Sequence, residues 1–129
     1  MKMGKVHLTK EDLVKIHSEM IERFGGIEGT LNQRTLDFAV DRASSSRDAA
    51  EGAAILLTTI AQEHPFMDAN KRTAFAAADV MLRLNGLHLG VGDQEAFEFV
   101  LMVARGDGGY KEVLKWLGGR VKKRSSSGR

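Results

Sequence analysis

Hydrophobic positions recur along this chain at helical spacing almost from its start. Leu13, Ile16, Met20, Ile21 and Phe24 share one face of a helix, opened by Thr9 and Asp12 as a capping box and closed by Gly25 and Gly26. Residues 25–30 read as a glycine-punctuated loop. Asn32 caps a second helix with a narrow apolar stripe, Leu36, Ala39, Val40 and Ala43, which ends in a polar break from Ser44 to Arg47. Residues 49–62 leave almost no polar face, the mark of a buried helix. Residues 73–84 are similar and alanine-rich, and Asn85 and Gly86 stop them. Residues 86–92 form a short connector with some strand character and no evident partner. Asp93 is placed to cap a fifth helix carrying Phe97, Val100, Leu101 and Ala104. Beyond Gly108 and Gly109 a sixth carries Tyr110, Val113, Leu114, Trp116 and Leu117. The pattern predicts an all-α bundle of about six helices, with neither a strand pair nor an internal repeat.

One stretch breaks the pattern. Residues 64–73, H-P-F-M-D-A-N-K-R-T, place an imidazole, a carboxylate, an amide and two cations between the two most apolar segments. Taken singly, a histidine at a helix end is a C-cap, and Asp-Ala-Asn before a helix is a capping stretch. Their joint occurrence between buried helices points to an active-site loop. Asn70 is a natural N-cap for a helix starting at Lys71 or Arg72, leaving the N–H groups of Lys71, Arg72 and Thr73 free. That helix end attracts anions. Arg72 adds a bidentate fork and Lys71 a mobile charge, so Asn70, Lys71, Arg72 and Thr73 together read as a phosphate cradle. Asp68 supplies a hard oxygen ligand suited to Mg²⁺ shared with phosphate. His64 is placed to act as general base on a hydroxyl nucleophile. Phe66 is the expected anchor of the loop, and Pro65 stops the preceding helix. His17 is expected at the rim of the first helix; His7 and His88 have no evident partners.

Composition narrows the setting. At 129 residues the chain fits one domain, and its 43% hydrophobic and 28% charged residues are ordinary for a globular protein. It has no cysteine, which excludes disulfides and thiolate metal sites and fits a reducing compartment. No signal peptide and no membrane-spanning stretch are visible, so the expectation is a cytoplasmic protein without a membrane partner. The basic character is concentrated in residues 120–129, which hold five cations and no acid, leaving 14 basic and 17 acidic groups elsewhere. A domain of residues 1–119 with a basic, disordered tail is the implied organisation, and direct nucleic-acid binding is not expected.

The loop resembles the Fic/Doc motif, H-x-F-x-[D/E]-[A/G]-N-[K/G]-R, and its Ala-Asn-Lys-Arg-Thr ending is similar to that of Doc-type members. I-x-R-F-G-G-I-x-G (Ile21 to Gly29) and R-L-N-G (Arg83 to Gly86) also look Doc-like. The resemblance implies an all-α Fic/Doc fold and a toxin of a toxin–antitoxin pair. Fic relatives transfer AMP from ATP through an Asn-Gly-Arg turn and a second arginine three residues on. Here those positions hold Lys71 and Phe75, so lysine crowds the close backbone approach that glycine permits, and one phosphate contact is missing. Doc-type proteins share both departures. They imply an ATP- and Mg²⁺-dependent protein kinase that phosphorylates a threonine of elongation factor Tu and blocks translation, with the γ-phosphate presented to the histidine. In that reading His64 is the base, Asp68 holds the metal, and Asn70, Lys71, Arg72 and Thr73 hold phosphates. An antitoxin whose C-terminal segment lies in a groove is implied as partner, with the stripes of the first two helices as candidate walls. Residues 44–48 are the candidate for the flap that aligns the target. The alternatives are adenylyl transfer to a hydroxyl and, from another class, a small helical module binding nucleic acid through its basic tail.

Overall fold

The computed structural model describes residues 5–124. Six helices account for most of it: α1 (Lys10–Phe24), α2 (Gln33–Ser44), α3 (Ala49–Glu63), α4 (Asn70–Leu84), α5 (Asp93–Ala104) and α6 (Tyr110–Gly118). Two three-residue strands, β1 (Leu87–Leu89) and β2 (Val121–Lys123), complete it. The capping signals form as the sequence suggests. Thr9 and Asp12 exchange bonds of 3.0 and 2.8 Å at the start of α1. Asn32 accepts the Thr35 N–H at 3.1 Å. Gly25, at φ 87°, closes α1. At α5, by contrast, Asp93 is the first helical residue and Gly92 the cap.

Helix α3 is the axis. Its Ala53, Ala54, Leu57, Ile60 and Ala61 are fully buried, and it packs against α2, α4, α5 and α6. Ala74, Ala77 and Ala78 of α4 are equally buried, and their small side chains let α4 lie close along α3. Because α3 is enclosed on several sides, Leu57→Ala leaves a cavity that no neighbour fills by collapse. The expected cost is about 3 kcal/mol, enough to lower Tm by roughly 10 °C. Thermal unfolding followed by circular dichroism checks this, and a Tm equal to the parent's would contradict so complete an enclosure.

The apolar stripes of α1 and α2 turn inward. Leu13 and Ile16 of α1, and Leu36, Ala39 and Ala43 of α2, belong to the core. What these segments leave outside is Phe24, Ile27, Leu31 and Phe38, each more than half exposed.

The expected disordered tail is also corrected over its described part. Val121–Lys123 pairs antiparallel with Leu87–Leu89, with His88 opposite Lys122. The 86–92 connector therefore has a partner, more than thirty residues further on in sequence. Arg120 bonds Glu95 of α5 and lies 4.6 Å from the Trp116 ring centroid, so its charge is answered by an acid distant in sequence. The rest of that stretch, residues 125–129, lies outside the described residues. No helix among the described residues is long and apolar enough to cross a membrane.

Candidate active site

Helix α3 stops at Glu63 because the residue before Pro65 is disfavoured in the helical region. His64 takes the left-handed conformation instead, at φ 53°, while its N–H still bonds Ile60 O at 3.2 Å. Ala69 is left-handed too, at φ 58°. Among the described residues these are the two non-glycine positions with positive φ, and both lie in the motif. Such backbone persists only where the surroundings hold it.

The surroundings here are the α1–α2 loop. Leu31 and Asn32 donate to Pro65 O at 2.7 and 3.1 Å, Met67 donates to Gly29 O at 2.9 Å, and Thr30 bridges Phe66. The Ile27 N–H donates to Asp68 Oδ2 at 3.1 Å. Gly26 must be glycine here: at φ 129° a Cβ would lie 2.9 Å from that same oxygen. Phe66 is the anchor that the sequence predicts, 1% exposed.

Asn70 behaves differently from the expected cap. Helix α4 begins at Asn70 itself, after Ala69, with no side-chain cap bond. The Asn70 amide clasps the loop, accepting the Phe66 N–H and donating to Phe66 O, both at 3.0 Å. An N-cap side chain bonds forward into its helix from extended backbone; Asn70 is already helical and bonds backward. The orphan N–H groups accordingly move by one residue, to Asn70, Lys71 and Arg72, which have no partner among the described residues. Thr73 leaves the cradle. Its N–H bonds Ala69 O at 3.0 Å, and its side chain is fully buried, the hydroxyl without a partner among the described residues.

Lys71 and Arg72 are exposed and have no acidic partner among the described residues. The Arg72 guanidinium lies 5.2 Å from the centroid of the exposed Phe24 ring. Three free N–H groups, the positive end of a helix dipole and two unpaired cations make one anion-binding end. Asp68 sits before it. Backbone N–H bonds from Ala69, at 2.9 Å, and from Ile27 hold its carboxyl below the usual carboxylate range, with a smaller contribution from the Arg72 charge. Asp68 is thus an exposed, ionised carboxylate at neutral pH. Among the described residues no cluster of three or more metal-binding side chains exists. The donor set fits Mg²⁺, which accepts one protein carboxylate and completes its shell with phosphate oxygens and water, and does not fit a metal that the protein must cage alone.

His64 is exposed, and its ring has no hydrogen-bond partner among the described residues, so both ring nitrogens stay open to a reactant. The nearby groove between α2 and α3, about 420 Å³, is lined by residues including Thr35, Phe38, Thr59 and Glu63 and ends one residue short of it. The candidate flap lies elsewhere. Ser45 to Asp48 lead into the N-terminus of α3, with Asp48 as its cap, while His64 follows its C-terminus. Fifteen helical residues at 1.5 Å each separate them by about 22 Å.

This geometry has named counterparts. A family model described as the Fic/DOC family matches residues 7–82, which include the whole loop, α3 and all but the last two residues of α4. The chain belongs to the Fic/Doc family. It is 33% identical over 89 residues to the protein kinase doc of Escherichia phage P1, a match covering 64% of this chain and 71% of that protein. It is 34% identical over 90 residues to the toxin Doc of Mycolicibacterium smegmatis (strain ATCC 700084 / mc(2)155), covering 64% and 67%. The likeness to Doc proteins read from the motif therefore extends over about 90 residues of the chain.

Sequence reasoning overlooked one residue at this site. His17, expected at a helix rim, is 1% exposed beneath the loop. Its signal was positional: four residues after Leu13 and three before Met20, it lies on the inward stripe of α1.

Proposed function

We propose that this Fic/Doc protein is a phosphotransferase of Doc type, a toxin that moves the γ-phosphoryl group of ATP to a threonine hydroxyl of elongation factor Tu in the cytoplasm. The observation that carries the reading is the anion-binding end of α4, with Lys71 and Arg72 unpaired and His64 exposed in the same loop. Lysine at the second helical residue obstructs the close backbone approach that glycine provides in adenylyl transfer.

His64 accepts the proton of the target hydroxyl as its oxygen attacks the γ-phosphorus. The bond from that phosphorus to the bridging oxygen breaks, ADP leaves, and the proton passes from the imidazole to water. The N–H groups of Asn70, Lys71 and Arg72 and the Arg72 guanidinium stabilise charge on the phosphates. Asp68 would hold Mg²⁺, which when bound neutralises phosphate charge. Asn70 and the α1–α2 loop keep the strained segment from His64 to Ala69 in one conformation. The partner we assign is an antitoxin whose C-terminal segment lies in a groove of the toxin; the exposed Phe38, shared by two open grooves beside α2, suits an apolar segment.

Intact-mass spectrometry of elongation factor Tu, after incubation with this protein, ATP and Mg²⁺, tests the reading. The expected result is a gain of one phosphoryl group. A gain of AMP would move the protein to the adenylyltransferases, and an unmodified factor would remove it as target.

A further inference from the structure

The geometry points to His17 as a positioning residue for the motif loop, acting through Phe66 and the backbone of Asp68. Its ring lies parallel to that of Phe66, with 4.0 Å between centroids and 3° between planes. Its Nε2 is 2.9 Å from the Asp68 carbonyl oxygen. A carbonyl can only accept, so Nε2 carries the hydrogen. One rigid imidazole, itself buried, therefore fixes two points of the loop two residues apart.

The second point has further reach. The peptide unit joining Asp68 to Ala69 is planar, so holding the Asp68 carbonyl also sets the direction of the Ala69 N–H. That N–H donates to Asp68 Oδ1 at 2.9 Å. The Ile27 N–H then holds Oδ2, so the carboxylate is fixed at both oxygens. Ala69 is also the left-handed residue from which α4 starts, so the same peptide plane aims the free N–H groups of Asn70, Lys71 and Arg72. An apolar residue at position 17 could fill the space but would leave the carbonyl without its donor. A structural histidine needs only to pack; this one orients the metal-binding carboxylate and the phosphate-binding helix end at once.

The inference rests on the phosphotransferase reading for its kinetic arm and stands alone for its structural arm. His17→Phe keeps a stacking ring and removes the donor, whereas His17→Gln keeps a donor at similar reach. Amide hydrogen exchange of the full chain should show Ile27 and Ala69 exchanging about tenfold faster in His17→Phe, with the interior of α3 unchanged and His17→Gln close to the parent. In the transfer assay His17→Phe should lower kcat by about tenfold or more, leave KM for the protein target unchanged, and be largely rescued in His17→Gln. If His17→Phe fails to unfold cooperatively, His17→Met against His17→Gln, equal in length and differing in the donor, carries the comparison. Unchanged exchange at Ile27 and Ala69 would overturn the assignment. So would acceleration spread evenly through α3, or normal kcat despite local loosening. A parent protein that transfers no phosphate would overturn the kinase reading instead, and the exchange data would still decide the role of His17.

Discussion

His64→Ala should abolish phosphoryl transfer, lowering kcat by about 10²–10⁴-fold, the range for a positioned general base. Stability should hardly move. The imidazole is exposed and makes no hydrogen bond among the described residues, so its removal deletes no packing. The backbone strain stays nearly unchanged, since histidine and alanine both occupy the left-handed conformation at a cost of about 1 kcal/mol. His64→Gly removes that strain as well, so it should be at least as stable as the alanine variant and equally inactive. This pair separates chemistry from folding. The readouts are intact mass of the protein target over time and Tm for each variant. Retained transfer in both would eliminate His64 as the base. Loss of activity matched by a large fall in Tm would instead make it a structural cap.

Arg72→Lys should lower kcat/KM for ATP by about 30-fold while preserving the charge. The reason is shape. A guanidinium presents parallel donors that match two phosphate oxygens, whereas an ammonium is a compact point charge that satisfies one direction at a time. In the folded protein Arg72 is exposed, and its contact is the face of the exposed Phe24 ring, 5.2 Å from the centroid. Its replacement therefore leaves the core intact, and Tm should stay near that of the parent. Steady-state kinetics at varied ATP, at constant ionic strength, give the measurement. Equal kcat/KM for the two cations would mean that Arg72 acts only as diffuse positive charge. The phosphate cradle would then rest on the helix end alone.

The motif was legible as chemistry because its residues are adjacent. Ten consecutive positions hold base, carboxylate, amide and cations, and the helices on either side announce themselves by burial. The helix number, the capping box at Thr9 and the Asn32 cap were equally local, since each depends on residues within one turn. The misreadings have a common origin. Asn70 has the composition of a cap, yet whether it bonds forward into α4 or backward to Phe66 depends on the conformation of Ala69. The stripes of α1 and α2 were correctly apolar, but an apolar stripe does not say whether a core or a partner covers it. The described part of the tail, residues 120–124, was basic in sequence and paired in space, because Glu95 and the β1 edge come from distant segments.

By itself the sequence determined the all-α character, the two buried central helices and the identity of the reactive groups, because periodicity and adjacency are short-range properties. Only the tertiary structure decided how those groups are held. The α1–α2 loop bonds Pro65, Met67 and Asp68 across more than thirty residues, and His17 reaches the Asp68 carbonyl from 51 positions away. The N-terminus of α4 leaves free the N–H groups of Asn70, Lys71 and Arg72, with that of Asn70 in place of that of Thr73, because a left-handed Ala69 starts the helix one residue early. Hydrogen bonds between remote segments leave no periodic trace in a chain, so the clamp on the loop appears only when the chain is folded.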